Sequence, residues 1–338
     1  MPIAREEVDP LVYRAAAILF ERDSRITAVG LGENDGQPVI RAVRNSARVL
    51  PLSGSIEVPE KIDGLAVQVV DAASDVVPLI KLPIGGAGGA SGAIGEQQRQ
   101  DPICCGLQIQ NFDFDVRSGN IGNSLTSVGT LGCFVKLDDG RNALLSNNHV
   151  IAGENRGVVK TDRILQPGAG SINSGDEIAV LENFVPLQPS PSGIRPPDSQ
   201  AVLNRVDAAV AVLSSQNGFD QGFLPMRGCP PLFGEKEADR GDRVIKVGRT
   251  TAKTVGKITA VGTIVGPVTY DIGDLWFSGC YEIESETEGG TFSRSGDSGS
   301  VVITEQGEIV GLLFAGSDEL TYACPIEDVL TRLRCSPV

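Results

Sequence analysis

The chain of 338 residues holds one histidine, few aromatic side chains (5%) and no CxxC pair. With a single imidazole and cysteines spread without ligand spacing, a zinc site has no donor set, and no other metal or cofactor is implied. No apolar run reaches the ~20 residues that a membrane-spanning helix needs, so no membrane partner is expected. Basic residues are outnumbered, 29 Lys and Arg against 43 Asp and Glu, for a net charge of −14. Neutralising phosphates needs clustered cations, so a nucleic-acid partner is excluded as well. The opening residues Met1 to Glu7 are polar and acidic, unlike the basic start of a secretory leader. A cytoplasmic address is expected. The seven cysteines are an odd number, and Cys104 and Cys105 are neighbours, so reduced, mostly buried thiols are expected.

What is present is 41 glycines among abundant Val, Ile and Ala, a mixture that favours short strands and tight turns. Residues 1–83 read as a small α+β module. Leu11, Ala15, Ile18 and Leu19 recur at helical spacing between Glu7 and Arg22, with Pro10 in the first turn. Strands at 26–32 and 38–43 flank an Asp35-Gly36 turn, and a third strand runs over 65–70. Residues 84–102 pass from a Gly/Ala stretch to a polar run without periodicity, the pattern of a flexible linker. From 103 to 338 short strands alternate with turns, notably at 129–137, 142–146, 243–247, 257–261, 281–283, 300–303 and 309–313. Pro186 to Pro197 reads as a loop, and Ile326 to Arg334 as a helix. Strands so spaced imply barrels or a sandwich.

Three stretches carry chemistry. In Ser295-Gly296-Asp297-Ser298-Gly299-Ser300, glycines on both sides let the backbone turn sharply and expose the hydroxyl. They also let the N–H groups of Gly296 and Ser298 converge as an oxyanion hole requires, although a Gly/Ser/Asp turn is equally an ordinary hairpin loop. In Leu144-Leu145-Ser146-Asn147-Asn148-His149, an apolar strand delivers the one imidazole able to act as base for a serine. In Arg205-Val206-Asp207-Ala208-Ala209-Val210, an acid opens a small apolar strand, where it can accept the second imidazole N–H. Asp162, Asp176 and Asp198 are competitors for that role.

The order His149, Asp207, Ser298 and the surrounding residues from about Gly106 to Cys324 resemble the trypsin-like, chymotrypsin-fold serine peptidases. Gly132-Cys133-Phe134-Val135 and Val247-Gly248-Arg249-Thr250-Thr251 resemble a bacterial intracellular branch similar to the plant NARROW LEAF type proteins. The resemblance implies a mostly β fold of two six-stranded antiparallel β-barrels, here preceded by the α+β module, with the active site between them. It implies Ser298 as nucleophile, His149 as base, Asp207 as orienting acid, and Gly296 and Ser298 as oxyanion donors. The activity so implied is serine endopeptidase hydrolysis of a protein or peptide substrate.

Many secreted relatives carry a cysteine directly after the histidine, bonded to one on the preceding strand. Val150 stands there, leaving Cys133 without that partner. The residue matching Asp297 often pairs with a freed N-terminal amine in relatives activated by cleavage. No activation sequence is evident, so Arg294 or another cation, or solvent, is left to meet it. Trypsin's pocket acid lies about six residues before the serine; Phe292 holds that place, which implies an uncharged pocket. A binding or assembly module that keeps the fold without turnover is the alternative. For residues 1–83, control of access to the cleft, substrate recruitment and homo-oligomer formation are open roles.

Overall fold

The computed structural model describes residues 3, 5–48, 57–78, 81–83, 95–120, 125–168, 176–216 and 218–338. It is mostly β. The first helix, α1 (Arg5–Arg22), begins earlier than its sequence pattern implies. Pro10 therefore lies inside it and removes a main-chain hydrogen bond to the preceding turn. Its buried stripe runs through Val8, Val12, Ala15 and Leu19, while Ile18 falls to one side and is 38% exposed. β1 (Ile26–Asn34) and β2 (Gln37–Asn45) form the expected hairpin. Asp35 and Gly36 both take positive φ (49° and 73°), as a two-residue turn matched to strand twist demands. β3 (Leu65–Ala72) pairs parallel with β2.

The first barrel uses β4 (Gln108–Asn111), β5 (Leu125–Thr130), β6 (Cys133–Leu137), β7 (Asn142–Ser146), β8 (Arg163–Leu165), β9 (Glu177–Phe184) and β10 (Ala209–Leu213). β5 and β6 are two halves of one bent stretch. The first half pairs with β4 and the second with β7, and β7–β10–β9–β8–β4 completes a closed antiparallel ring of six. The corner lies at Leu131–Gly132, where the Gly132 N–H has already crossed to the Leu145 carbonyl (2.9 Å).

The second barrel uses β11 (Arg243–Gly248), β12 (Ala252–Tyr270), β13 (Gly273–Ser285), β14 (Val301–Thr304), β15 (Ile309–Gly316) and β16 (Leu320–Pro325). Its ring runs β11–β12–β13–β16–β15–β14 and back to β11, every pair antiparallel. Closure of each sheet removes the exposed edges that an open sheet would present. After it come α3 (Ile326–Leu333) and β17 (Cys335–Pro337), the latter pairing with β6 of the first barrel.

β12 and β13 are 19 and 13 residues long, far beyond the segments at 257–261 and 281–283. Repeated register shifts bend the pair, first between Ile258 and Ala260, and such bulges let long strands follow a curved wall. Along one edge β12 pairs with β11 over 252–257, then with β1 over 260–265. The N-terminal hairpin thus extends the sheet of the second barrel. One continuous group of buried side chains joins Val12, Leu19, Ile26 and Ile40 to Ile258, Ile283, Val302 and Leu313. Arg41 of β2 donates from Nε to Glu282 Oε1 (2.5 Å) and also pairs with Glu284, both on β13.

Of the expected linker, residues 84–94 lie outside the described residues. The polar run after them is packed down. Glu96 is buried and holds the Arg227 guanidinium through two 2.5 Å hydrogen bonds, and Gln97 Nε2 donates to the Arg249 carbonyl at 2.9 Å. A paired carboxylate can be buried where a lone one cannot. The loop from Pro186 to Pro197 is also anchored: Arg195 lies over the rings of Phe20 and Trp276, at 4.9 and 5.7 Å, and donates to the carbonyls of Ser24 and Ile26. All seven cysteines are free and five are buried. Among the described residues no helix is long and apolar enough to cross a membrane, and no group of metal-ligating side chains occurs.

Candidate active site

β7 runs out of the first barrel into α2 (Asn148–Ile151), a single turn that carries His149. Two buried or half-buried asparagines hold this turn. Asn148 Nδ2 donates to Asn155 Oδ1 and to the Val185 carbonyl, both at 2.8 Å, while the Asn155 N–H returns to Asn148 Oδ1 at 2.9 Å. Val150 packs on Gly129, where a Cβ would lie 2.5 Å from Val150 Cγ1 and 3.0 Å from the Ser298 carbonyl oxygen. Gly129 thus faces Val150 and the Ser298 turn, and its lack of a side chain lets the two barrels approach there.

Asp207 precedes β10 and is fully buried, as is His149. Its Oδ2 pairs with His149 Nδ1, and its Oδ1 accepts the His149 main-chain N–H at 3.2 Å. Asn147 Nδ2 donates to the Asp207 carbonyl at 2.7 Å. The other acids lie elsewhere. Asp162 is clamped by Arg117 through two 2.7 Å bonds, Asp176 meets Arg99 at 3.4 Å, and Asp198 is exposed. Of the four acids, Asp207 is the one hydrogen-bonded to the imidazole. The position was readable only as an acid at a strand start; the pairing comes from the strand order that sets β10 beside β7.

Ser298 comes from the second barrel, on the turn before β14, and is fully buried. Its carbonyl accepts the Thr130 N–H at 2.8 Å, which ties this turn to β5 of the first barrel. Its hydroxyl donates to the Phe314 carbonyl at 3.1 Å. His149 Nε2 is buried without a hydrogen-bond partner. No hydrogen bond joins the serine to the histidine. Gly296 and Gly299 take φ of +97° and +91°, a region that glycine alone enters freely. The Gly296 carbonyl is turned to Thr130 Oγ1 (2.8 Å).

Asp297 sits beneath the turn and is fully buried. Its Oδ1 accepts the Thr250 N–H (2.8 Å) and the Thr251 N–H (3.2 Å). Its Oδ2 accepts Thr251 Oγ1 (2.6 Å), the Arg294 N–H (3.0 Å) and Lys246 Nζ (3.2 Å). Lys246 is also fully buried, and it reaches Thr251 Oγ1 and the Ala252 carbonyl. Arg294 contributes its main chain, and the cation is Lys246. Burial pushes the Lys246 ammonium below the ordinary lysine range, with Asp297 acting in the opposite sense. In the sequence this cation is marked by a lone lysine within the apolar strand Arg243 to Val247.

Two further groups surround the pair. Tyr270, at the end of β12, donates its hydroxyl to Asp207 Oδ2 at 2.8 Å, and its ring meets the imidazole edge-on at 5.7 Å between centroids. Burial, then Asp207, hold this phenol well above its usual range. Glu154, buried just after α2, accepts the Ile272 N–H at 3.1 Å. Burial and the nearby Asp271 raise its carboxyl, against a smaller opposing pull from His149. Phe292 is buried in the hydrophobic core, and its carbonyl accepts Thr254 Oγ1 at 2.7 Å.

The chain matches no protein-family model and none of the curated proteins. Solved structures do resemble it. Thermobifida fusca protease A is 16% identical, over 70% of this chain and 98% of that one, with a TM-score of 0.46. Nocardiopsis protease is 17% identical over the same shares, with a TM-score of 0.44. Cellulomonas bogoriensis chymotrypsin is 16% identical, again over 70% and 98%, with a TM-score of 0.45.

Proposed function

We propose that this chain is a serine endopeptidase that acts through an acyl-enzyme on Ser298. The observation that carries the reading is the buried Asp207–His149 pair, with Nε2 left without a hydrogen-bond partner. Asp207 holds the Nδ1 proton, which leaves Nε2 as the base. The Ser298 hydroxyl turns from the Phe314 carbonyl to Nε2, loses its proton there and attacks the substrate carbonyl. Hydrogen bonds of this kind are often absent before substrate binds. The N–H groups of Gly296 and Ser298 are the proposed oxyanion donors. The imidazolium then protonates the leaving amine, and water repeats the sequence to release the acid.

Lys246 supports a further part of the reading. Asp297 already has a buried cation within the chain, so the enzyme forms its site without a freed N-terminal amine and needs no cleavage for activation. Seven unpaired cysteines are in keeping with a cytoplasmic location. Residues 1–83 are proposed as an integral support of the second barrel, with self-association through them tested by light scattering.

A fluorophosphonate probe should label the native protein and leave Ser298→Ala unlabelled. Equal labelling of both would overturn the proposal. A second reading, a binding module without turnover, is favoured by the Ser298–Phe314 hydrogen bond and the full burial of His149 and Ser298. It predicts no labelling and no cleavage of an unfolded protein substrate by the intact chain.

A further inference from the structure

The carboxylate behind the imidazole has a second donor. We infer that Tyr270 is a positioning residue: its hydroxyl, delivered from the second barrel, orients Asp207 and limits how strongly that carboxylate holds the Nδ1 proton of His149. The inference rests on the peptidase reading for its catalytic consequence, but the hydrogen bond stands apart from it.

Asp207 Oδ2 receives both His149 Nδ1 and Tyr270 Oη. An oxygen that shares its charge between two donors binds each less tightly than it would bind one alone. Tyr270 is 4% exposed, so water cannot readily take its place. The nucleophile's own surroundings offer no substitute. The residue that meets the Ser298 hydroxyl is Phe314, through its carbonyl, and its side chain has no proton to give.

The phenol is fixed from both sides. Its ring lies edge-on to His149 and 6.2 Å from Phe277, which in turn lies 4.5 Å from Phe314 between centroids. An aromatic row therefore runs from the imidazole to the residue beneath Ser298. β12 reaches this point only because it continues past the barrel partner β11 to Tyr270. Besides Asp207, the titratable groups that act on Tyr270 include Cys324 on β16 and Glu154 after α2. The thiol of Cys324 lies against the Asp207 main-chain N–H, and burial keeps it protonated.

The single histidine makes the test direct, since one Nδ1 proton resonance belongs to one residue. In Tyr270→Phe that resonance should move downfield, as the His149–Asp207 bond tightens. With a peptide ester, kcat should fall about tenfold with KM unchanged, the mark of an interaction used in the transition state. Should Tyr270→Phe fail to fold, 3,5-difluorotyrosine at position 270 keeps the ring and is a stronger donor, and the resonance should move upfield. Opposite shifts in the two variants support the assignment. A resonance that stays in place in the folded variants overturns it. Shifts in the resonance without any fluorophosphonate labelling of the native protein support the hydrogen-bond assignment and overturn the peptidase reading.

Discussion

The first barrel is built from strands of three to eight residues and carries at its edges two strands of three residues each, β17 and Lys81–Pro83, the latter paired with β5. The second is built around strands of 19 and 13 residues and carries at its edge a helix and two strand pairs from the chain's beginning. Their contributions differ as well: His149 and Asp207 come from the first, Ser298, Asp297, Lys246 and Tyr270 from the second. Short strands with local turns close a barrel by themselves. A strand that outruns its partner leaves main-chain donors and acceptors exposed, and here β1 takes them up. The overhang has a use, because its far end delivers Tyr270 to Asp207.

The largest effect should come from removing that support. Deleting residues 1–45 uncovers the β12 edge and the apolar side chains shared with α1, so the second barrel should lose its protection from proteolysis. Deleting 335–338 should leave both barrels protected. If the two truncations behave alike, the contrast between the barrels is wrong.

Lys246→Met tests the second barrel's interior. It leaves Asp297 buried without its cation, a defect that costs about 3–5 kcal/mol and should appear as a lower urea midpoint with reduced probe labelling of Ser298. The double variant with Asp297→Asn should recover most of the loss. Recovery of stability without labelling would separate folding from the shape of the serine turn.

Arg195→Ala probes the loop that fastens the second barrel to the end of α1. Losing two ring contacts and two hydrogen bonds to carbonyls should cost about 1–2 kcal/mol, read as a drop in Tm with probe labelling retained. The smallest effect belongs to the first barrel's surface. Arg163 holds the Asp113 carboxyl below its usual range, through hydrogen bonds at 2.6 to 2.9 Å. Its folded value is depressed, so its contribution is present above the ordinary carboxylate value near 4. It is lost as pH falls through the lower folded value. Asp113→Asn should therefore cost roughly 0.5 kcal/mol at neutral pH and nothing in strong acid, measured by urea unfolding at both.

Much of the architecture was legible. Alternation and turn residues placed the β1–β2 hairpin, β6, β7 and β10 of the first barrel and β11, β14 and β15 of the second, because short strands bounded by turn residues mark themselves in the chain. β4, β8 and β9 went unread. β12 and β13 were seen only as fragments. Bulges interrupt their alternation, and glycines at 262, 266, 273 and 279, all with positive φ, read locally as turns. The polar run at 96–101 reads in the sequence as part of a flexible linker, and 186–197 as a loop. Both are held by ion pairs or ring contacts with residues far away in sequence, which no local pattern records.

Residue types and their immediate neighbours were enough to mark the groups able to do chemistry: one imidazole, a serine flanked closely by glycines, and an acid at the head of an apolar strand. The partners came from the folded arrangement: Asp207 among four acids, Lys246 for Asp297, Gly129 facing Val150, and Tyr270 behind the imidazole. Each joins residues far apart in sequence, carried on separate strands, turns or helices, and the strand pairing that closes the barrels determines which of them meet.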